Sequence, residues 1–194
     1  MEFEVAISFF IGGKNMRHIG EKIILVLCIV VFGIAAMNLV EIGKEYYDGQ
    51  KEYEELKEYT EEEPNGQQDD PAESKAEEKT IDFAELRKIN EDIVAWIQIP
   101  EIGVDYPVVQ EDSEYYLHHT FRKAANKAGS IFLDYRNRAD FTERRVIIYG
   151  HNMKDGSMFS NLKKYQDKTF RKESGTAYLY LPEKIELIII ECNM

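Results

Sequence analysis

Cysteine is almost missing from this sequence: Cys28 and Cys192 are the only two among 194 residues. That scarcity excludes a disulfide-stapled scaffold, because Cys28 lies inside an apolar stretch and cannot pair with Cys192 in an exported domain. Basic charge is short as well, with 24 Lys and Arg against 36 Asp and Glu and a formal net charge of −12. Its location matters more than its size. Residues 41–80 hold 15 acidic and 5 basic side chains, so this stretch alone contributes −10. The remaining chain is nearly balanced and has no basic stripe to track a phosphate backbone, which sets nucleic-acid binding aside as a function class.

What the sequence does have is one long apolar run. From Ile23 to Val40 the residues are apolar except for mild interruptions at Gly33 and Asn38, and eighteen such residues reach the length of a membrane-spanning helix. The run exceeds a signal-peptide core and no small-x-small site closes it, so an uncleaved signal-anchor is expected. Lys14, Arg17 and Lys22 precede the run while Glu41 and Glu45 follow it. The positive-inside rule then keeps the N-terminus cytoplasmic and exports the rest. Met1 to Phe10 is acidic and apolar, and Met16 would make a more ordinary start for such an anchor. The expected organisation is a cytoplasmic segment over 1–22, a transmembrane signal-anchor over 23–40, an acidic extracellular linker over 41–80 and a globular part over 81–194.

The linker is expected to be solvated. Its first half, Glu41 to Thr60, places Tyr46, Tyr53 and Leu56 on a narrow helical face that can extend the membrane helix outward. Its second half, Glu61 to Lys79, is poor in apolar residues, is broken by Pro64-Asn-Gly66 and Pro71, and reads as a self-repelling tether.

At Asp82 the pattern changes. Asp82 can cap a helix whose apolar positions are Phe83, Leu86 and Ile89. Alternation follows in a strand through Val94, Trp96 and Ile97–Ile99, closed by Pro100, and in a second from Gly103 to Val109 in which Pro107 marks an edge or a bulge. A short helix over Glu114–His119, a strand over Ser130–Leu133, a strand over Arg145–Tyr149 and a helical turn packed through Met158, Phe159 and Leu162 come next. Ala177–Leu181 and Ile185–Ile190 read as a hairpin across Pro182-Glu-Lys184. Many short strands with small helices indicate a mainly β domain.

The most informative segment is Val146-Ile-Ile-Tyr-Gly-His-Asn-Met-Lys-Asp-Gly-Ser-Met-Phe159. Val146, Ile147 and Ile148 suit a fully buried strand, Gly150 frees the backbone to turn, and His151 emerges at the strand end. An imidazole titrates near neutral pH and is suited to acid/base work. His118 and His119 are set aside as partners in a metal site, because adjacent residues on a helix diverge by about 100° and seldom chelate one ion. Asp134 and Asp140 beside Arg136 and Arg138 read as solvated salt bridges on a surface loop.

With its surroundings, this segment resembles the sortases, the membrane-anchored cysteine transpeptidases of Gram-positive bacteria, and class B among them. The resemblance is carried by five blocks in family order. They are Asn90-Glu-Asp-Ile-Val-Ala-Trp-Ile-Gln-Ile-Pro100, Val104-Asp-Tyr-Pro-Val-Val-Gln110, Tyr115-Tyr-Leu-His-His119, Ala128-Gly-Ser-Ile-Phe-Leu-Asp-Tyr-Arg136 and Ile148-Tyr-Gly-His-Asn-Met-Lys-Asp-Gly-Ser-Met-Phe159. The resemblance implies a sortase-type β-barrel with short helices, preceded by one transmembrane helix, with residues 81–194 as the N-terminal part of the catalytic domain. It implies His151 as the catalytic histidine, with no cofactor and no metal. The implied reaction cleaves an Asn-Pro-x-Thr-Asn sorting signal and joins the protein to peptidoglycan, so the implied partners are surface proteins bearing that signal and a peptidoglycan precursor.

Two family features have no counterpart here: the Thr-Leu-x-Thr-Cys strand that carries the nucleophile, and the arginine that follows it. Cys192 lacks that motif, stands too near His151 in sequence, and reads as a small buried hydrophobe. The expectation is an incomplete barrel ending on an Ile-rich edge, from a truncated or frame-shifted product without activity. The alternative is an enzymatically silent membrane-tethered interaction module.

Overall fold

The structure is a computed structural model that describes residues 12–62, 79–173 and 175–189. The chain divides into two compact units, Met1–Lys44 and Glu45–Met194. In the first, the described residues belong to helix α1, Gly12–Leu56, which runs on into the second. The large apolar side chains from Ile23 to Val40 are exposed, Phe32 at 76%, so this part of the helix has no single core-facing stripe. Eighteen residues rise about 27 Å, close to the thickness of a bilayer's hydrocarbon core. The helix is thus long and apolar enough to cross a membrane.

The second unit begins with the last turns of α1, and here the structure departs from the expected solvated spacer. Tyr53 and Leu56 are buried, because the narrow face of Tyr46, Tyr53 and Leu56 has a sheet domain to pack against. After a single 3-10 turn, Lys57–Tyr59, strand β1 (Thr60–Glu62) pairs antiparallel with β2 (Lys79–Ile81). The intervening part of the expected tether lies outside the described residues. Helix α2, Phe83–Ile89, starts where the sequence places it: the Asp82 carboxylate accepts from the Glu85 amide at 3.0 Å, and Phe83 and Leu86 turn inward.

Six strands form the main sheet: β3 (Ile93–Ile99), β4 (Val104–Val109), β5 (Ile131–Leu133), β6 (Ile148–Tyr149), β7 (Thr176–Leu181) and β8 (Lys184–Ile189). Their order is β6-β5-β4-β3-β7-β8. All neighbours are antiparallel except β4 and β5. A parallel pair needs a crossover, and residues 110–130 supply it, with a 3-10 turn at Tyr115–Leu117. β7 and β8 form the expected hairpin, with Leu181 opposite Lys184 across Pro182-Glu183.

β3 is the spine of the core. Ile93, Ala95, Trp96, Ile97 and Ile99 are all buried, where simple alternation would have buried only every second residue. The pairing with β4 shifts between Ile93 and Ala95, a bulge, yet Ile93, Ala95, Ile97 and Ile99 keep their alternation across it; the exception is Trp96, buried where β3 is flanked by both β4 and β7. Pro107 therefore does not mark the bulge. It pairs opposite Trp96, just before the two residues, Val108 and Val109, at which β5 joins. Among the described residues no strand flanks Pro107 on the β5 side of β4, so the missing N–H is tolerated there. The Trp96 indole N–H donates to Asp105 at 2.7 Å, and the buried Lys79 ammonium from β2 meets the same carboxylate at 2.7 and 2.8 Å.

β6 requires a correction. Residues 146–148 are not a fully buried strand: only Ile148 and Tyr149 pair, and Ile147 and Tyr149 are exposed. β6 is the edge of the described sheet, with β5 as its one partner, so one side of its ladder meets no strand.

Candidate active site

His151 stands two residues beyond β6, and the turn that delivers it depends on Gly150. A Cβ at Gly150 would lie 2.7 Å from the Phe159 ring and closer still to Ile131, so only glycine lets the backbone pass between them. Residues 151–159 then close into a loop. The Phe159 amide donates to the His151 carbonyl at 3.0 Å, and Asn152 bridges to Met158. Asp155 accepts from the amide and hydroxyl of Ser157 at 3.0 and 2.7 Å, an Asx turn that tightens the loop tip. Met158 is buried with φ +53°. Its amide donates to the Tyr106 hydroxyl at 3.2 Å, which helps hold a backbone conformation that β-carbons resist.

The half-buried His151 ring is itself fixed. Its Nε2 lies 2.7 Å from the carbonyl oxygen of Leu117. A carbonyl has only lone pairs, so Nε2 must be the protonated nitrogen. The neutral imidazole thus keeps its lone pair on Nδ1, and the imidazolium carries a second, transferable proton there. The ring of His118 is 6.3 Å away, and His119 turns elsewhere, stacked on Tyr115 at 3.7 Å with Nδ1 against the Tyr115 carbonyl. The three histidines do not converge. Asn152, Asp155 and Ser157 shape the loop through the Asn152–Met158 bridge and the Asp155–Ser157 bonds.

The Leu117 carbonyl is presented by the crossover, and Gly129 makes that possible. Gly129 has φ +57°, and a Cβ there would lie 2.6 Å from the Leu117 oxygen. Neither the carbonyl nor its support carries a side-chain signature, so sequence reasoning had no means to find the acceptor. Its only trace was the glycine.

The Asp134–Arg136 pair also differs from expectation. Arg136 is exposed, but Asp134 is buried and accepts from the Arg136 amide and guanidinium at 2.7–2.9 Å and from the Tyr149 hydroxyl at 3.0 Å. The Arg136 guanidinium holds the Asp134 carboxyl well below the usual carboxylate range. That hydrogen-bonded carboxylate in turn raises the Tyr149 phenol. β5 and β6 are thereby tied together one turn ahead of His151. Asp140 and Arg138 do form the solvated pair expected of a surface loop, at 2.7 Å. Cys192 lies outside the described residues.

The described sheet, with its parallel β4–β5 pair and a histidine ring held just past its edge strand, is shared with a class of known proteins. A family model for the sortase domain matches residues 97–181. Sortase B of Listeria monocytogenes is 49% identical over 102 residues, covering 48% of this chain and 42% of that protein. Sortase B of Staphylococcus aureus is 38% identical over 89 residues, covering 45% and 36%. The chain thus spans less than half the length of either relative. Among solved structures, sortase B from Bacillus anthracis superposes with a TM-score of 0.62 at 34% identity, over 76% of this chain and 68% of that one. Sortase B from Clostridium perfringens gives 0.52 at 34% identity, over 55% and 58%. The chain belongs to the sortase family, and its relatives there are of class B.

Proposed function

We propose that this chain carries the acid/base part of a class B sortase transpeptidase, with His151 as the catalytic histidine. The observation that carries the reading is the Nε2 contact to the Leu117 carbonyl at 2.7 Å, which leaves Nδ1 to exchange the proton. In the proposed reaction a cysteine thiolate attacks the threonyl carbonyl of an Asn-Pro-x-Thr-Asn sorting signal. The C–N bond breaks as imidazolium Nδ1–H protonates the departing amine, leaving a thioacyl enzyme. Neutral Nδ1 then takes a proton from the peptidoglycan amine that attacks the thioester, and the thiolate leaves. Nε2–H stays bonded to the carbonyl throughout, so the ring keeps its orientation in both steps.

The substrates in this reading are surface proteins bearing the sorting signal and a peptidoglycan precursor. The organisation that serves it places residues 1–22 in the cytoplasm and 23–40 in the membrane. Residues 41–80 then lead to the catalytic part, 81–194, outside. These 194 residues contain no Thr-Leu-x-Thr-Cys sequence and no arginine after it, so on their own they are expected to lack transpeptidase activity.

The test joins this chain after β8 to the cysteine- and arginine-bearing strands of the family and measures cleavage of a fluorogenic Asn-Pro-Gln-Thr-Asn peptide. Cleavage should appear in the fusion and fall about a thousandfold with His151→Ala, within the range expected for loss of a general acid/base. Cleavage that survives His151→Ala unchanged would refute the assignment. Thiol-dependent cleavage by the unfused chain, lost with Cys192→Ala, would overturn the inactivity.

A further inference from the structure

The ring of His151 is bonded between two separate pieces of chain, its own loop and the 110–130 crossover, and the same stretch of helix grips both. From α1, the Tyr53 hydroxyl donates to the Gly129 carbonyl at 2.6 Å and lies 3.2 Å from the Ser130 hydroxyl. The Ser130 hydroxyl in turn donates to the His119 carbonyl at 2.8 Å, and the Ser130 amide donates to the Tyr116 carbonyl at 2.9 Å. These contacts bracket Leu117, whose carbonyl receives His151. Three further bonds pin the crossover to the helix. Asn126 donates to the Glu45 carbonyl at 2.8 Å, and the Lys127 and Arg122 amides donate to the Glu45 and Glu52 carboxylates at 2.8 and 2.7 Å.

On the other side, the Gln50 side-chain amide donates to Asp155 at 3.0 Å, at the tip of the His151 loop. The Tyr53 ring also meets Tyr106 edge-on at 5.3 Å, and Tyr106 is the residue that accepts from the Met158 amide. Between these grips the helix and the loop are separated by a cleft of about 320 Å³ lined by Tyr46, Gln50, Glu54 and Asp155–Met158. Met153 and Met158 pack the loop into the core, but on the side facing the helix it is held by these separate contacts across the cleft.

We infer that residues 45–56 are a positioning segment for His151, with Tyr53 fixing the crossover that presents the Leu117 carbonyl and Gln50 fixing the loop that carries the ring. Its catalytic meaning rests on the acid/base reading of His151, but the mechanical claim does not. The test uses the full chain in detergent micelles, uniformly labelled with ¹⁵N so that backbone amides and histidine rings are both read. It compares wild type with the Gln50→Ala/Tyr53→Phe double variant and with Glu54→Ala. Glu54 lines the same cleft but bonds to Lys57 on the 3-10 turn that follows its own helix.

In the double variant, amide exchange at Phe159 and Ser130 should speed about tenfold, in line with losing one or two net hydrogen bonds. The β3–β4 ladder should exchange as in wild type. The His151 ring should shift from the Nε2–H tautomer toward a mixture. Glu54→Ala should change none of these. Unchanged Phe159 exchange and an unchanged His151 tautomer in the double variant would overturn the inference, as would acceleration spread equally over β3 and β4. A failure of the acid/base reading would show instead as surviving cleavage in the His151→Ala fusion, and would leave these two readouts untouched.

Discussion

Asp134 shows how a single side chain in this domain couples structure to pH. Arg136 depresses its native pKa, so its stabilising contribution is fully present above the unfolded carboxylate value near 4. It is lost as pH falls from there toward the lower native value. Asp134→Asn mimics the protonated state at every pH. The urea midpoint of wild type should therefore exceed that of the variant most at neutral pH, with the gap closing below about pH 4; a gap independent of pH would show that Asp134 acts by packing alone. At this scale the sequence was only partly legible. His151 could be singled out because a histidine after a hydrophobic strand and a glycine is an unusual arrangement, and the surrounding blocks carried the family. The burial of Asp134 was hidden, because Asp-Tyr-Arg reads as a polar turn until Tyr149 from the next strand closes over it. The Leu117 carbonyl was hidden more deeply, since every residue has one.

Among the elements, those set by local rules were legible. The Asp82 cap, the β7–β8 hairpin and the short turn at Tyr115–Leu117 each follow from neighbours in the chain. Those decided by distant partners were not. The bulge at Ile93/Ala95 arises from pairing with β4, and the end of α1 became part of the domain only because a sheet lay ready to cover Tyr53 and Leu56. The β1–β2 ribbon is a second case of distant attachment. Lys79 is 2% exposed and its ammonium binds both oxygens of Asp105 on β4 while lying over the Trp96 ring at 5.3 Å. Lys79→Met keeps the length and the apolar stem but leaves Asp105 with the Trp96 N–H as its remaining described donor. Breaking a buried pair on one side should cost about 3 kcal/mol, read as a lower urea midpoint with an unchanged slope. Double substitution with Asp105→Leu should recover part of that loss; no recovery would mean that the stem packing, not the charge pair, holds the ribbon.

Across the whole molecule, charge and hydropathy are separated along the chain in a way that bears on topology. Lys14, Arg17 and Lys22 stand on one side of the Ile23–Val40 run, and the acid-rich residues 41–80 stand on the other. Basic residues resist export far more than acidic ones do, so the proposed orientation keeps the short basic side in the cytoplasm and sends the long acidic side out. The apolar run is carried by a helix whose side chains there are exposed, which in water would present an unusually large apolar surface and in a bilayer presents none. A protease added to intact protoplasts should therefore remove everything beyond about residue 40, leaving a membrane-embedded fragment that an antibody to an N-terminal tag still detects. Lysis should then expose the tag itself to cleavage. Protection of the globular unit in intact protoplasts would reverse the orientation. It would also place His151 in the cytoplasm, away from the peptidoglycan amine that the proposed reaction requires.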